Sequence, residues 1–137
     1  MQSVNIKKEF SGEVEKVIPI LTQALQKVGF GILTRIDFHV KMKEKLGKTL
    51  PPTVILGACN PQLAFEAYQR NPDVTSLLPC NAVVREVAPH RVSVELARPS
   101  AMMMPLGDAA LVELACSADE KLQKVIDGLE ADLKEGA

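Results

Sequence analysis

The sequence has no tryptophan, one tyrosine and four phenylalanines, so aromatic residues are only 4% of the chain. Few flat side chains are left on which exposed bases could stack. Neither sign of charge dominates: 16 Lys and Arg against 17 Asp and Glu leave a formal net charge of −1. A nucleic-acid backbone or an anionic membrane surface calls for a clustered basic excess, so no nucleic-acid partner is expected. No run approaches the roughly 18 apolar residues of a membrane span, and the opening MQSVNIKKEF has neither an apolar signal core nor a small-residue cleavage site. The expectation is a cytoplasmic protein with no membrane partner. Cysteine is scarce too: three, an odd number, without a secretion signal suit a reducing compartment rather than a disulfide scaffold. Gly-rich phosphate loops, Walker sequences, a nucleophile elbow and the metalloprotease helix are all missing. No cofactor follows from these residues, and enzyme status rests on the cysteines alone.

What is present is ordinary globular material. Apolar residues make up 47% and charged residues 24% of 137 positions. That length suits one domain, 1–137, with one core, and no repeat or linker divides it. Val4 and Ile6 alternate in a short strand ending near Ser11, whose hydroxyl suits a helix N-cap. The spacing of Val14, Val17, Ile18, Leu21, Leu25 and Val28 predicts a helix closed by Gly29, bent but not broken at Pro19. GFGILTRI reads as a second strand, with Phe30, Ile32 and Ile36 on one face and Leu33 on the other. Asp37 then caps a short helix over FHVKMKEKL, and Gly47 closes it. TVILGA is a third strand, apolar on both faces as when both are covered. Asn60-Pro61 starts a helix over QLAFEAYQ, which ends before Asn71-Pro72. CNAVVREV, a turn at APHR and VSVELA make a hairpin, with Val92, Val94 and Leu96 alternating with Ser93 and Glu95. RPSAMMMPLG reads as a loop, after which Asp108 caps the longest helix. Its apolar stripe runs from Leu111 through Ala115, Leu122 and Ile126 to Leu133. The order points to the α+β class: a single antiparallel sheet of about five strands with long helices packed on one face.

GFGILTRIDF, KEKLGKTLPPTVILGACNPQLAFEA and LLPCNAVVREV, with Asp37, Gly47, Asn60-Pro61 and Leu78-Pro79 at these spacings, resemble the domain-of-unknown-function family 302. The resemblance covers most of the chain, roughly from the first helix to the last. It implies a small bacterial or archaeal protein with a fold like that of the TATA-box-binding protein, an antiparallel sheet bearing helices on one face. It implies no activity, because the family has none established.

The stretch CNPQLAFEAYQRNPDVTSLLPCN opens and closes on Cys-Asn. Cys59 leaves the third strand and Cys80 enters the fourth. Were those strands parallel, six residues at about 3.3 Å each would hold the cysteines roughly 20 Å apart. The helix between them, about 13 Å long at 1.5 Å per residue, is short for a parallel crossover, and the resemblance implies a meander. Antiparallel neighbours bring the pair to one end of the sheet, within reach of the roughly 4.4–6.8 Å Cα separation of a disulfide. A thiol beside the helix start at Asn60 then feels the positive helix end, which favours thiolate. In that reading Cys59 is the nucleophile, Cys80 its partner, and Asn60 and Asn81 supply amide donors for thiol redox work, sulfur carriage or a soft ligand. The plainer reading is that both cysteines pack, since free Cys is among the most buried residue types. Capping accounts for Asn60 and Pro61, and a single Cys pair makes no structural zinc site.

Other candidates are weaker. Asp37 is a candidate ligand-binding carboxylate, although capping explains it. His39 lacks a second His near it, and His90 falls in a turn. Glu44 and Glu66 read as surface charges. Of Met102, Met103 and Met104, an extended segment turns at most Met102 and Met104 to one ligand. Cys116 sits beside the apolar stripe and reads as helix packing. The leading expectation is a small cytosolic binding or accessory module, ligand unknown, at the Cys59/Asn60/Cys80 end of the sheet. A thiol-dependent redox or sulfur-carrier protein with Cys59 as nucleophile is the alternative. Nucleic-acid binding has only fold analogy behind it, and the charge opposes it. Gly31, Leu33, Ile55, Gly57 and Val83 are expected on the sheet face away from the long helices, and covering that face predicts a homodimer.

Overall fold

The computed structural model describes residues 3–136. In chain order it contains β1 (Asn5–Ser11), α1 (Val14–Lys27), β2 (Gly31–Asp37), α2 (Phe38–Leu46), β3 (Thr53–Cys59), α3 (Pro61–Arg70) and a 3₁₀ turn (Pro72–Leu77). There follow β4 (Cys80–Ala88), β5 (Arg91–Ala97), α4 (Pro99–Met103), a second 3₁₀ turn (Met104–Leu106) and α5 (Ala109–Glu135). All strand pairs are antiparallel, in the order β1-β5-β4-β3-β2. The class is α+β, as the pattern of elements requires. Among the described residues no helix is long and apolar enough to cross a membrane.

One face of the sheet is the core. Ile6 and Phe10 of β1, Val54, Leu56 and Ala58 of β3, Ala82 and Val84 of β4 and Val92, Val94 and Leu96 of β5 are all buried there. They meet Val17, Leu21 and Leu25 of α1 and Leu122, Ile126 and Leu129 of α5. Each such Leu or Val contributes roughly 1.5–3 kcal/mol by leaving water. The stripe on α5 therefore decides where that helix lies. A smaller cluster forms separately from Ala67 of α3, Val74, Met103 of α4, and Leu111 and Ala115 at the start of α5.

Several local expectations are corrected. Ser11 ends β1 instead of capping α1; Glu13 holds the N-cap position and makes no side-chain cap bond. Gly12, at φ +150°, turns the chain between them. α1, by contrast, is unbroken at Pro19 as expected, and Pro19 lies on its exposed side. Asp37 stands at the N-cap position of α2 but does not cap; its carboxylate accepts from Arg35 at 2.7 Å. In β2 a bulge between Ile32 and Thr34 shifts the alternation by one residue. Ile32 stays on the helix side opposite Ala58, whereas Ile36 is carried to the other face opposite Ile55. Phe30 lies before the strand and is buried, while Leu33, at the bulge, is exposed. The segment read as a loop before α5 holds α4, because Pro99 at its first turn is already fixed near helical φ.

Candidate functional site

The site is built where β3 ends and β4 begins. Ala58 is paired with Cys80, so Cys59 and Cys80 stand at the same rim of the sheet on neighbouring strands. Just beyond, Asn60 caps α3: its side-chain oxygen accepts from the Leu63 N–H at 3.2 Å, and Pro61 occupies the first turn. Gly29, at φ +90°, makes room for this cap, since a Cβ there would lie 3.0 Å from the Asn60 amide nitrogen.

Between this rim, α3, α4 and the first turns of α5 lies a cavity of about 50 Å³. Leu63, Ala67, Leu78, Met103 and Ala115 border it, with Cys80 at the sheet side and Cys59 and Asn60 at its edge. It falls at the seam between the main core and the smaller cluster. The lining is therefore almost wholly hydrocarbon and sulfur. Near Cys80 stands the Asp119 carboxylate, which takes the Ser100 N–H at 3.0 Å and the Ser100 hydroxyl.

Burial disfavours the thiolate at both rim cysteines. It raises the Cys59 thiol above its ordinary value. Burial also pushes Cys80 up to about 11, with Cys59 and Asp119 adding to the effect by disfavouring a second negative charge. All three cysteines are free. Cys80 lies on the helix side with its partner Ala58, and Cys59, the last residue of β3, pairs with Gly31 and borders the same cavity.

The remaining candidates disperse. Asn81 is exposed and pairs with Gly57 on the face away from the long helices, so it does not reach the cavity. Asp37 pairs with Val54, at the opposite end of β3 from Cys59. His39 ties α2 to β3: its Nδ1 accepts from the Thr53 N–H at 3.0 Å, with the Thr53 carbonyl oxygen 3.1 Å away. His90 is in the hairpin turn at φ +58°, exposed, with Nδ1 3.5 Å from Glu13. Glu44 lies 3.6 Å from Lys41, Glu66 is exposed, and Cys116 is exposed on α5. Met102 and Met104 do not share a ligand. α4 buries Met103 between them, and Met104 is exposed.

Sequence reading passed over Asp119 and its partner Ser100, and weighed Met103 only within the Met102–Met104 run, not beside Cys80. A sign for Asp119 was available: it stands four residues after Ala115 and three before Leu122, on the buried side of α5, where a carboxylate needs partners. Ser100 and Met103 had no such sign, because reading RPSAMMMPLG as extended assigned those side chains to the wrong faces.

The family model described as "Domain of unknown function DUF302" matches residues 6–129. Comparison with solved structures finds the crystal structure of an uncharacterised conserved DUF302 protein from Bacillus stearothermophilus, at 28% identity and a TM-score of 0.85. That match covers 92% of this chain and 98% of the other. Comparison with curated proteins found no match.

Proposed function

We propose that this chain, which belongs to the DUF302 family, is a small-ligand-binding module whose ligand occupies the cavity at the Cys59–Cys80 rim. The cavity itself carries this reading. Close-packed interiors leave few voids larger than a water molecule, yet here one of about 50 Å³ lies between two separately packed clusters. Partly open apolar hollows of this kind take apolar guests. The lining thus favours a small, uncharged, polarisable molecule in contact with the sulfurs of Cys80 and Met103. An anionic ligand is disfavoured, since the charged group near Cys80 is the Asp119 carboxylate, itself negative. Cys59 and Asn60 contribute the edge and the fixed start of α3. The thiol-nucleophile alternative ranks below this reading, because burial raises both rim thiols.

Xenon dissolved under pressure is the simplest probe, read by methyl-resolved NMR. The Ala64, Ala67 and Ala115 methyls, all on the lining, are expected to shift saturably. Ala115→Leu fills the space and should abolish the response. Unsaturable shifts scattered over the molecule, or equal binding by the A115L protein, reject the reading.

A further inference from the structure

The face of the sheet turned away from α1 and α5 has a legible surface, set by register. One transverse row runs Ile36, Ile55, Val83, Glu95, Lys7 across β2, β3, β4, β5 and β1. Its first three members are apolar, and Ile36 is 46% exposed. Val87 and Leu50 extend the patch and are exposed as well. With Phe38, Ile55 and Val83 they border a groove of about 570 Å³. The row continues onto charged residues only at β5 and β1. A contiguous apolar patch of this kind marks an interaction surface.

We propose that a second copy of this chain covers this face, sheet against sheet, in a two-fold symmetric dimer. A two-fold interface must be self-complementary, because residues near the axis meet their own counterparts. Charges of both signs stand beside this patch: Arg85 and Glu95, with Lys7 opposite Glu95 in the row. Arg85 holds Glu95 at 2.6 Å. The Arg85–Glu95 dipoles of the two copies can oppose head to tail beside the apolar row.

The edges of the sheet argue against the other way a copy might add. β1, one edge, carries Lys7 and Lys8, and β2, the other, carries the bulge between Ile32 and Thr34. Charges and bulges are what keep an edge from accepting another strand. The apolar face is left as the surface for self-association. Sheets packed face to face sit about 10 Å apart with interdigitating side chains, a spacing that Ile36, Ile55 and Val83 can fill.

Light scattering after size exclusion, on the full chain at about 100 µM, tests this well above the micromolar Kd of a modest interface. The expected result is twice the chain mass of 14.9 kDa. Val83→Lys puts an ammonium, with only Glu95 beside it, into the apolar part of the row and should weaken association at least ~100-fold. At about 10 µM, where a dimer of ~1 µM Kd is still mostly associated, the variant is mostly monomer with unchanged far-UV circular dichroism. If V83K fails to fold, Ile36→Lys, at a half-exposed position, should give the same monomer. A wild-type monomer overturns the proposal and leaves the face to a different partner. A dimer that survives the folded lysine variants overturns it equally, by placing the contact elsewhere.

Discussion

Labelling the thiols of the folded chain with an aromatic disulfide reagent separates a packed Cys80 from an activated one. The perturbation is pH, and the expected rate follows from the thiol's surroundings. With its pKa pushed up to about 11, Cys80 has ~100-fold less thiolate near neutral pH than a thiol at about 9. A more basic thiolate is also more nucleophilic, and with a Brønsted slope of about 0.4–0.5 this recovers somewhat under tenfold. Ionisation alone therefore slows Cys80 by roughly tenfold relative to an ordinary thiol. Its burial slows it further, because the reagent must wait for a local opening. Cys116, exposed on α5, supplies the internal standard. One fast equivalent is expected from Cys116, a slower one from Cys59 and the slowest from Cys80. Single-cysteine variants assign each phase. The Cys80 rate should climb tenfold per pH unit until about pH 11. A Cys80 as fast as Cys116 near neutrality, or a rate that levels off around pH 7, would refute the physical account of the site.

Two further outcomes follow from neighbouring residues. The folded pKa of Cys80 lies above its unfolded value, so its contribution is fully present below about pH 9 and lost as pH rises through about 11, some 2–3 kcal/mol in all. Urea unfolding across that window should show the fall, and Cys80→Ala should flatten it; an identical slope in C80A discards this assignment. At Gly57, an added Cβ would lie 2.3 Å from Thr34 Oγ1 and 2.8 Å from Pro79 Cγ. Crowding of this kind costs about 1–3 kcal/mol, against a gain of about 0.4–1 kcal/mol from a stiffer unfolded chain. Gly57→Ala is therefore expected to lose about 1–2 kcal/mol in chemical denaturation, and an unchanged or raised midpoint contradicts the close approach.

The parts of the fold that were legible in the sequence share one property: their signal is local and repeated. The α5 stripe recurs every three to four residues from Leu111 to Leu133, so one misread position changes nothing. Asn60-Pro61 carries its own mechanism, an amide that accepts from Leu63 and a proline fixed at helical φ. The misreadings fall where a single residue or a distant contact decides. Ser11 and Glu13 compete to begin α1, and a turn at Gly12 settles it. The bulge in β2 re-phases Ile36 because that strand must match β3, sixteen or more residues further on, and nothing within GFGILTRI signals it.

The cysteines divide in the same way. The chain alone put Cys59 and Cys80 at the two ends of a short helical connection, and the resemblance to a meander added that they share a rim. Their chemistry depends on quantities no linear pattern contains. Which face each side chain takes is fixed by register with Gly31 and Ala58. Cys80's proton is held by burial under α4 and α5 and by a carboxylate thirty-nine residues away, Asp119. Local pattern determined the elements because helices and strands satisfy their own backbones. The cavity, the sheltered thiols and the bare face of the sheet were decided only by tertiary packing, since each exists between elements and belongs to none of them.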